Sequence, residues 1–455
     1  MPRRRPRPGS RSLRHGLSLR HGQLPAGVLS VGAGLLVAGL TTYGFLAISA
    51  RAMGPARFAP LSALWALVLI GGPGLFFPLE QEVARAVSAR QARGEGGGPV
   101  VRRAAVLGAA VSALVVVALV LARAPVGDLF DHQQLLVVGL VLAVPGFAGQ
   151  HLARGALAGT GRFGRYGLLL ALEGLLRLVG SVALALAGVS SAGPYGLVVG
   201  AAPLLGLLAV RKLPTEALEP GPQPPWAELS QALGHLLAAS VLSQVLVNLG
   251  PVMVKVLAPP EEEVAAGRFL ASLVLARVPL FLFAAVQAAL LPRLSRLAAA
   301  GRVRELTTSL VRLLATVAVV CGVAVVAAPT AGPAAVRVLF GSAFSLARGD
   351  LALLAAASST YIVALVCSQG LIAVAAHRET TLGWLAGVLA FAATIGLAGG
   401  GAVTRVEWGL LIGAVVAAAV HAGLLVRRVR ALPAGPDRPG AVGPAPAVSP
   451  GQLDP

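Results

Sequence analysis

Charged residues are scarce in this chain. Only 12% of its 455 residues are Asp, Glu, Lys or Arg, 56% are hydrophobic, and the mean hydropathy is +0.81. Soluble globular domains carry about twice that share of charge, so a soluble fold is excluded. Cysteine is scarcer still: Cys321 and Cys367 both fall inside apolar runs. This pattern excludes a disulfide framework and a thiolate metal site.

Catalytic residue types are also few and poorly placed. The seven histidines are scattered, no metal-spaced cluster occurs, and the phosphate-binding pattern GxxxxGK[ST] is absent. The segments that connect the apolar runs on the side predicted below to be extracytoplasmic are too short to form a domain. We therefore expect no enzymatic activity and no cofactor.

Basic residues are the one abundant charge, giving a formal net charge of +19. They lie in short patches between apolar runs, which is the positive-inside distribution of a membrane protein. Membrane lipids with anionic head groups are therefore the expected partner, and nucleic acid is not. Seven arginines and no acid occur within residues 1–24, which we predict to be a basic cytoplasmic tail.

Apolar runs long enough to cross a bilayer recur along the whole chain. We predict twelve helices, an all-α polytopic membrane fold, with spans at 25–49, 59–79, 104–122, 133–153, 166–188, 192–210, 229–256, 266–291, 309–332, 350–375, 380–400 and 406–426. The Pro-rich break near residues 212–228 divides them into two six-helix lobes, 25–211 and 229–426. A weak repeat relates residues 56–70 to 267–281, so the lobes should share an orientation and enclose a cavity. Residues 427–455 are predicted to be a disordered cytoplasmic tail.

The orientation follows from counting basic residues. With both termini inside, the inner segments hold 26 Lys and Arg and the outer segments eight. This asymmetry predicts a multi-pass protein of the bacterial plasma membrane with both termini in the cytoplasm.

Arg277 is the leading candidate for a binding residue, because it lies inside the apolar span 269–291. An arginine at a helix centre costs about 2.5–3.5 kcal/mol on insertion scales, so it usually faces a protein interior or a wet cavity. Further candidates share helix faces: Ser240, Gln244, Asn248 and Lys255 in helix 7, Gln287 in helix 8, and Ser358, Tyr361 and Gln369 in helix 10. Helix-to-helix hydrogen bonding is the alternative role for each Ser, Asn or Gln.

Three glutamates, at two places in the chain, each have a structural and a functional interpretation. Glu173 and Arg177 have the i, i+4 spacing of an ion pair within one helix, which is at least as plausible as a substrate contact. Glu80 and Glu82, at the inner end of helix 2, are expected to form either an inner gate or a structural network with Arg85 or nearby basic loops.

Several segments resemble one transporter family. They are ISARAMGPARFAPLSALWAL (48–67), GTGRFGRYGLLLALEGLLR (159–177), LLPRLSRLAAAGRVRELTTSLVRLL, AVRVLFGSAFSLA (335–347) and ALLAAASSTYIVALVCSQGLIAVAAHRET. Together they resemble the polysaccharide-biosynthesis, lipid-linked oligosaccharide flippase branch of the multidrug/oligosaccharidyl-lipid/polysaccharide (MOP) exporter superfamily, over residues 28–426.

This resemblance implies a two-lobed flippase. It would move a lipid-linked oligosaccharide, typically on a polyprenyl diphosphate, to the outer leaflet by alternating access, alongside polysaccharide polymerases and glycosyltransferases. Arg277 would contact phosphate, Lys255 would assist near the outer mouth, and Gln244, Asn248 and Gln287 would bind sugar hydroxyls.

Three alternatives remain open. A drug-exporting member of the superfamily would carry a buried carboxylate, whereas helix 1 has none and Glu173 is the only acid deep in a predicted span. A major-facilitator transporter would carry a GxxxDRxGRR-like loop after helix 2, where this chain reads SARQARGEGGGPVVRR. A membrane scaffold that recruits polysaccharide enzymes would transport nothing.

Overall fold

The fold was established from a computed structural model that describes residues 26–208, 213–223, 226–259, 262 and 264–432. All regular elements in these ranges are helical. The helices are α1 (Ala26–Ala92), α2 (Gly98–Leu121), α3 (Arg123–Leu129), α4 (Gln134–Gly159), α5 (Phe163–Leu186), α6 (Ala192–Leu207), α7 (Thr215–Leu218), α8 (Trp226–Asn248), α9 (Gly250–Leu257), α10 (Val264–Ala276), α11 (Val278–Ala299), α12 (Val303–Leu339), α13 (Arg348–Ala373), α14 (His377–Leu397) and α15 (Ala402–Arg430), with a short 3₁₀ turn at Ser342–Phe344.

The all-α, polytopic membrane fold is confirmed, and a helix occupies each predicted span. Eight of the described helices are long and apolar enough to cross a membrane, and the bent pair α8 and α9 makes a ninth. Helix α1 supplies two spans, because Gly54 has a non-helical conformation with φ +73° that only glycine adopts readily. The shorter apolar helices α6 and α10 account for the remaining two spans, the latter together with α11.

Two spans of the second half are broken near their middles. Helices α8 and α9 meet at 54°, just before Pro251, and α10 gives way to α11 at Arg277, two residues before Pro279. Proline lacks the amide hydrogen that would bond to the carbonyl four residues back, and its ring crowds that carbonyl, so each proline interrupts the helix at this point. Both prolines then occupy the first turn of the following helix, where they are well tolerated.

The first-half helices pack mainly on one another, as do those of the second half. Helix α4 approaches α6 so closely that a Cβ on Gly139 would lie 2.4 Å from the Gly196 carbonyl oxygen. In the second half, α15 packs between α13 and α14, where a Cβ on Gly413 would lie 2.8 Å from the Gly387 carbonyl oxygen. Small residues allow such close helix contacts in membranes.

The described part of the predicted linker is folded against the first lobe. Ala217 is fully buried among side chains of α1, α2 and α4, and the Gly98 amide donates to the Glu219 carbonyl at 3.0 Å. Arg90, only 2% exposed, donates to the Pro222 carbonyl at 2.7 Å. Residues 213–222 of the linker expected at 212–228 therefore pack on the first lobe, and α8 begins at Trp226.

The C-terminal boundary also differs from the sequence prediction. Helix α15 continues to Arg430, four residues beyond the span that was expected to end at 426. Arginine side chains extend far enough to reach the head-group layer from the end of a membrane helix, so the helix need not stop where the apolar run stops. The predicted basic tail at 1–24 and most of the predicted C-terminal tail lie outside the described residues.

Replacing Gly96 by alanine should detach the linker from the first lobe. A Cβ at this position would lie 2.2 Å from the Pro220 carbonyl oxygen and 2.3 Å from that of Glu219, so the backbone must move. We expect a loss of about 1–3 kcal/mol and faster proteolysis within residues 213–223. Gly164→Ala is the control, because a Cβ there meets nothing within 4 Å. Equal proteolysis of both variants would contradict this expectation.

Candidate functional site

Arg277 and Asn248 join the two helix breaks of the second lobe. Arg277 lies between α10 and α11, is 7% exposed, and donates from Nη1 to Asn248 Oδ1 at 3.0 Å. Asn248 is the last residue of α8, and its Nδ2 donates to Gln244 Oε1 at 2.8 Å. Three of the predicted binding residues therefore form one hydrogen-bonded chain.

The positive charge of Arg277 is not neutralised within the described part of the chain. Its Nε and Nη2 are buried without a hydrogen-bond partner, and no carboxylate there lies within ion-pair distance. Beside it is a cavity of about 20 Å³ lined by Ser358, Tyr361 and apolar side chains. This volume holds roughly one water molecule. The guanidinium thus has free donors and little space for a ligand in this conformation.

Each break also brings backbone polar groups near this cation, namely the last carbonyls of α8 or α10 and the first amides of α9 or α11. Helices α9 and α11 both start at the breaks, and the first amides of a helix lack intrahelical partners. Tyr43 of the first lobe packs here as well: its hydroxyl donates to the Val274 carbonyl at 2.9 Å, and its ring contacts Phe281. The site therefore lies where α1 meets the second lobe, and it combines features that attract an anion.

Lys255 lies away from Arg277 and has a different partner. Its ammonium group contacts Asp131 Oδ1 at 2.8 Å, joining α9 of the second lobe to the connection before α4 in the first. The lysine side chain is 9% exposed. Sequence analysis placed Lys255 near the outer mouth as a substrate contact, whereas the structure shows it bridging the lobes.

Other contacts close the same face of the molecule, which the charge count predicts to be the outer face. Arg51 donates from Nε to the Leu339 carbonyl at 2.8 Å, and the Phe58 and Phe344 rings meet edge to face at 5.8 Å. A Cβ on Gly267 would lie 2.2 Å from the Pro55 carbonyl oxygen. The lobes are therefore in direct contact across this predicted outer face.

The remaining predicted binding residues lie apart from Arg277. Glu173 and Arg177 pair at 3.1 Å inside the first lobe, and the Arg177 guanidinium lies over the Trp65 ring at 5.4 Å. This geometry favours the structural interpretation of the pair. Gln369 is buried in α13, eight residues beyond Tyr361 and outside the cavity lining. Gln287 belongs to α11, but its side chain lies outside the described residues.

Glu80 forms a buried network rather than an open gate. Its Oε2 contacts His151 Nδ1 at 2.8 Å and Arg154 Nε at 3.2 Å, and its Oε1 accepts from the Tyr166 hydroxyl at 2.7 Å. These contacts tie α1 to α4 and α5. Glu82 instead pairs with Arg85, whose side chain is 57% exposed. Of the two interpretations for these glutamates, the structure favours the network.

Replacing Glu80 by glutamine should destabilise the first lobe. The change leaves the Arg154 charge buried without its carboxylate, and breaking a buried ion pair on one side costs about 3–5 kcal/mol. We expect a clear drop in the thermal transition of purified protein. Glu82→Gln removes the same charge from a pair with an exposed partner and should cost about 0–1 kcal/mol. If the two variants were equally stable, the network would have no structural role.

Sequence analysis missed Glu407. This glutamate of α15 is 0% exposed, both carboxylate oxygens lack a hydrogen-bond partner among the described residues, and Asp350 of α13 is close enough to interact electrostatically. Glu407 is thus a second buried acid within a predicted span, although it lies at the end of that span rather than deep in it. The signal was present, because Glu407 falls in the second position of the predicted span 406–426.

The fold defines the class of protein. The chain superposes on a multidrug resistance MATE family transporter of the MOP superfamily in its inward-facing conformation with a TM-score of 0.67, covering 91% of this chain and 97% of that one at 15% identity. For the outward-facing conformation of such a transporter, the TM-score is 0.64 at 16% identity, with coverage of 89% and 96%. The protein is therefore a multi-pass membrane protein with the MOP-superfamily fold.

Sequence comparison adds the family. The chain is 30% identical over 418 residues to the uncharacterized protein Rv1510 of Mycobacterium tuberculosis, covering 88% of this chain and 92% of that protein. It is 28% identical over 419 residues to the uncharacterized protein Mb3654 of Mycobacterium bovis, with the same coverage. The chain belongs to the family of Rv1510. No established protein-family profile matches it.

Proposed function

We propose that this protein is a transporter that flips a lipid-linked oligosaccharide or polysaccharide precursor, carried on a polyprenyl diphosphate, from the inner to the outer leaflet. The proposal rests on the unneutralised guanidinium of Arg277 at the meeting of two broken helices. A diphosphate head group supplies the oxygen acceptors that the free Nε and Nη2 need. The first amides of α9 and α11 lie at the same breaks and are further donors for this anion.

The side-chain amides of Asn248 and Gln244 suit the saccharide portion of such a substrate. Asn248 and Gln244 run from Arg277 along α8 towards the first lobe, where Gly74 lies against the Gln244 side chain. Amide side chains both donate and accept hydrogen bonds, as sugar hydroxyls require. The polyprenyl chain would remain in the bilayer, since lipid is its preferred solvent.

Transport requires the lobes to separate. In this conformation the cavity at Arg277 holds about one water molecule, so a phosphate enters only when the packing around Arg277 loosens. Separation of the lobes would also release the Tyr43 hydroxyl of α1 from the Val274 carbonyl. The predicted outer face is held closed by Lys255 and Asp131. Substrate would therefore enter from the opposite, cytoplasmic side and leave after this face opens, which is alternating access.

Leaflet translocation in proteoliposomes tests the proposal directly. A fluorescent oligosaccharide on polyprenyl diphosphate would be offered beside the same saccharide on a neutral polyprenyl ether, and quenching from outside would report the leaflet. We expect translocation of the diphosphate form only. Equal movement of both forms would remove the basis for an anion site, and movement of neither would favour the scaffold alternative.

Export of cationic small molecules is the second candidate function, and Glu407 favours it. A buried carboxylate without a partner binds a proton, or neutralises a cation that displaces it. The same proteoliposomes would be loaded with a cationic dye under a proton gradient. Dye export that disappears in Glu407→Gln and persists in Arg277→Gln would select this function over flipping.

A further inference from the structure

A concave pocket lies at the end of α15, outside the Arg277 site. It is lined by Leu424, Arg427, Arg428, Arg430 and Ala431 of α15 and by Glu379 in the first turn of α14. One arginine is used internally, because Arg428 donates from Nε to Glu379 Oε1 at 2.8 Å. The pocket is built from the ends of two adjacent helices rather than from one flat surface.

The pocket coincides with the edge of the apolar part of α15. Val426 is 47% exposed and is followed directly by the basic residues, so hydrocarbon ends and head groups begin at this level. The apolar run of α15 was predicted to stop at residue 426 for the same reason. A molecule in this pocket would meet Leu424 on one side and guanidinium groups on the other.

The electrostatic balance of the pocket is strongly positive. Arg427 and Arg430 are exposed on neighbouring positions of one helix face, and no hydrogen-bond or ion-pair partner is found for either side chain among the described residues. Arg378, next to Glu379, adds a further cation. The single carboxylate is already engaged by Arg428, so two or more positive charges are free to bind an anion.

We propose that this pocket binds the head group of an anionic phospholipid of the cytoplasmic leaflet. The phosphate would lie between Arg427 and Arg430, and an acyl chain would follow Leu424 and Val426 into the bilayer. Each basic residue near the membrane surface contributes about 1 kcal/mol to the attraction of anionic lipid. A pocket also fixes the position of the bound head group. The proposal does not depend on the transported substrate.

Lipid binding by the full-length protein tests the site. Protein purified in mild detergent would be titrated with phosphatidylglycerol or phosphatidylcholine, and bound lipid would be counted by native mass spectrometry. We expect one phosphatidylglycerol to bind in preference to phosphatidylcholine. The double variant Arg427→Gln, Arg430→Gln should weaken that binding roughly 30-fold. Lysine at both positions should retain most of it.

A charge-matched control distinguishes lipid binding in the pocket from non-specific attraction between anionic lipid and exposed arginines. Arg304 and Arg312 are also exposed and lie in the first three turns of α12, so the double variant Arg304→Gln, Arg312→Gln removes the same charge elsewhere. This control should leave phosphatidylglycerol binding within about twofold. Equal weakening by both double variants would overturn the proposal. Displacement of phosphatidylglycerol by stoichiometric polyprenyl diphosphate would also overturn it, because the pocket would then belong to the substrate path.

Discussion

Substituting Arg277 by glutamine should reduce translocation of the diphosphate-linked saccharide about 100-fold. A hydrogen bond from a charged donor in a buried site contributes about 1.5–3 kcal/mol, and the substitution removes the charge that two free nitrogens present. The hydrogen bond from Asn248 to Gln244 does not involve residue 277 and should persist. The measurement is the initial translocation rate per inserted protein. We expect the rate of Arg277→Lys to fall between those of the unmodified protein and Arg277→Gln, because lysine keeps the charge but loses the planar guanidinium that binds phosphate through two nitrogens.

The same substitution should leave the fold intact or make it more stable. Arg277 is buried without a counter-ion in the described chain, so its charge costs free energy in this conformation. We expect the thermal transition of Arg277→Gln to match or exceed that of the unmodified protein. A residue kept only for packing would show the opposite pattern. Arg312→Gln, an exposed change of the same kind, should alter neither quantity.

Much of this fold follows from the apolar pattern alone. The spans were found because runs of about twenty apolar residues must be helical in a bilayer, where backbone groups have no other partner. The pairing of Glu173 with Arg177 was also predictable, because both residues belong to one helix and the i, i+4 spacing fixes their distance. The choice of Arg277 as an intramembrane cation needed only its position in the sequence.

Contacts between distant segments could not be predicted in this way. The Glu80 network depends on α4 and α5 presenting His151, Arg154 and Tyr166 to one carboxylate, which no local spacing encodes. The partner of Lys255 lies 124 residues away in the other lobe. The segment 212–228 was predicted only as a Pro-rich linker between the lobes, whereas its described backbone contacts the glycines at 96–98. The amino-acid composition of a segment does not predict whether it is buried when its contacts are made by backbone atoms.

Cross-linking position 131 to position 255 should stop transport completely. Lys255 Nζ and Asp131 Oδ1 are 2.8 Å apart in the closed face, and substrate can leave on that side only if the lobes separate there. Asp131→Cys and Lys255→Cys would be combined with Cys321→Ala and Cys367→Ala, because the two native thiols are the only others in the chain. A short, cleavable thiol cross-linker should reduce translocation to background, and cleavage should restore it.

A second cysteine pair on the same face distinguishes gating from general damage. Arg57 Nη1 donates to Ser190 Oγ at 2.6 Å, and both residues belong to the first lobe. Cross-linking Arg57→Cys to Ser190→Cys therefore restrains this face without joining the lobes, and transport should continue. Continued transport with residues 131 and 255 joined would mean that this face never opens. Substrate would then have to move along the lipid-facing surface of a static protein, and the free charge of Arg277 would be left without a role in transport.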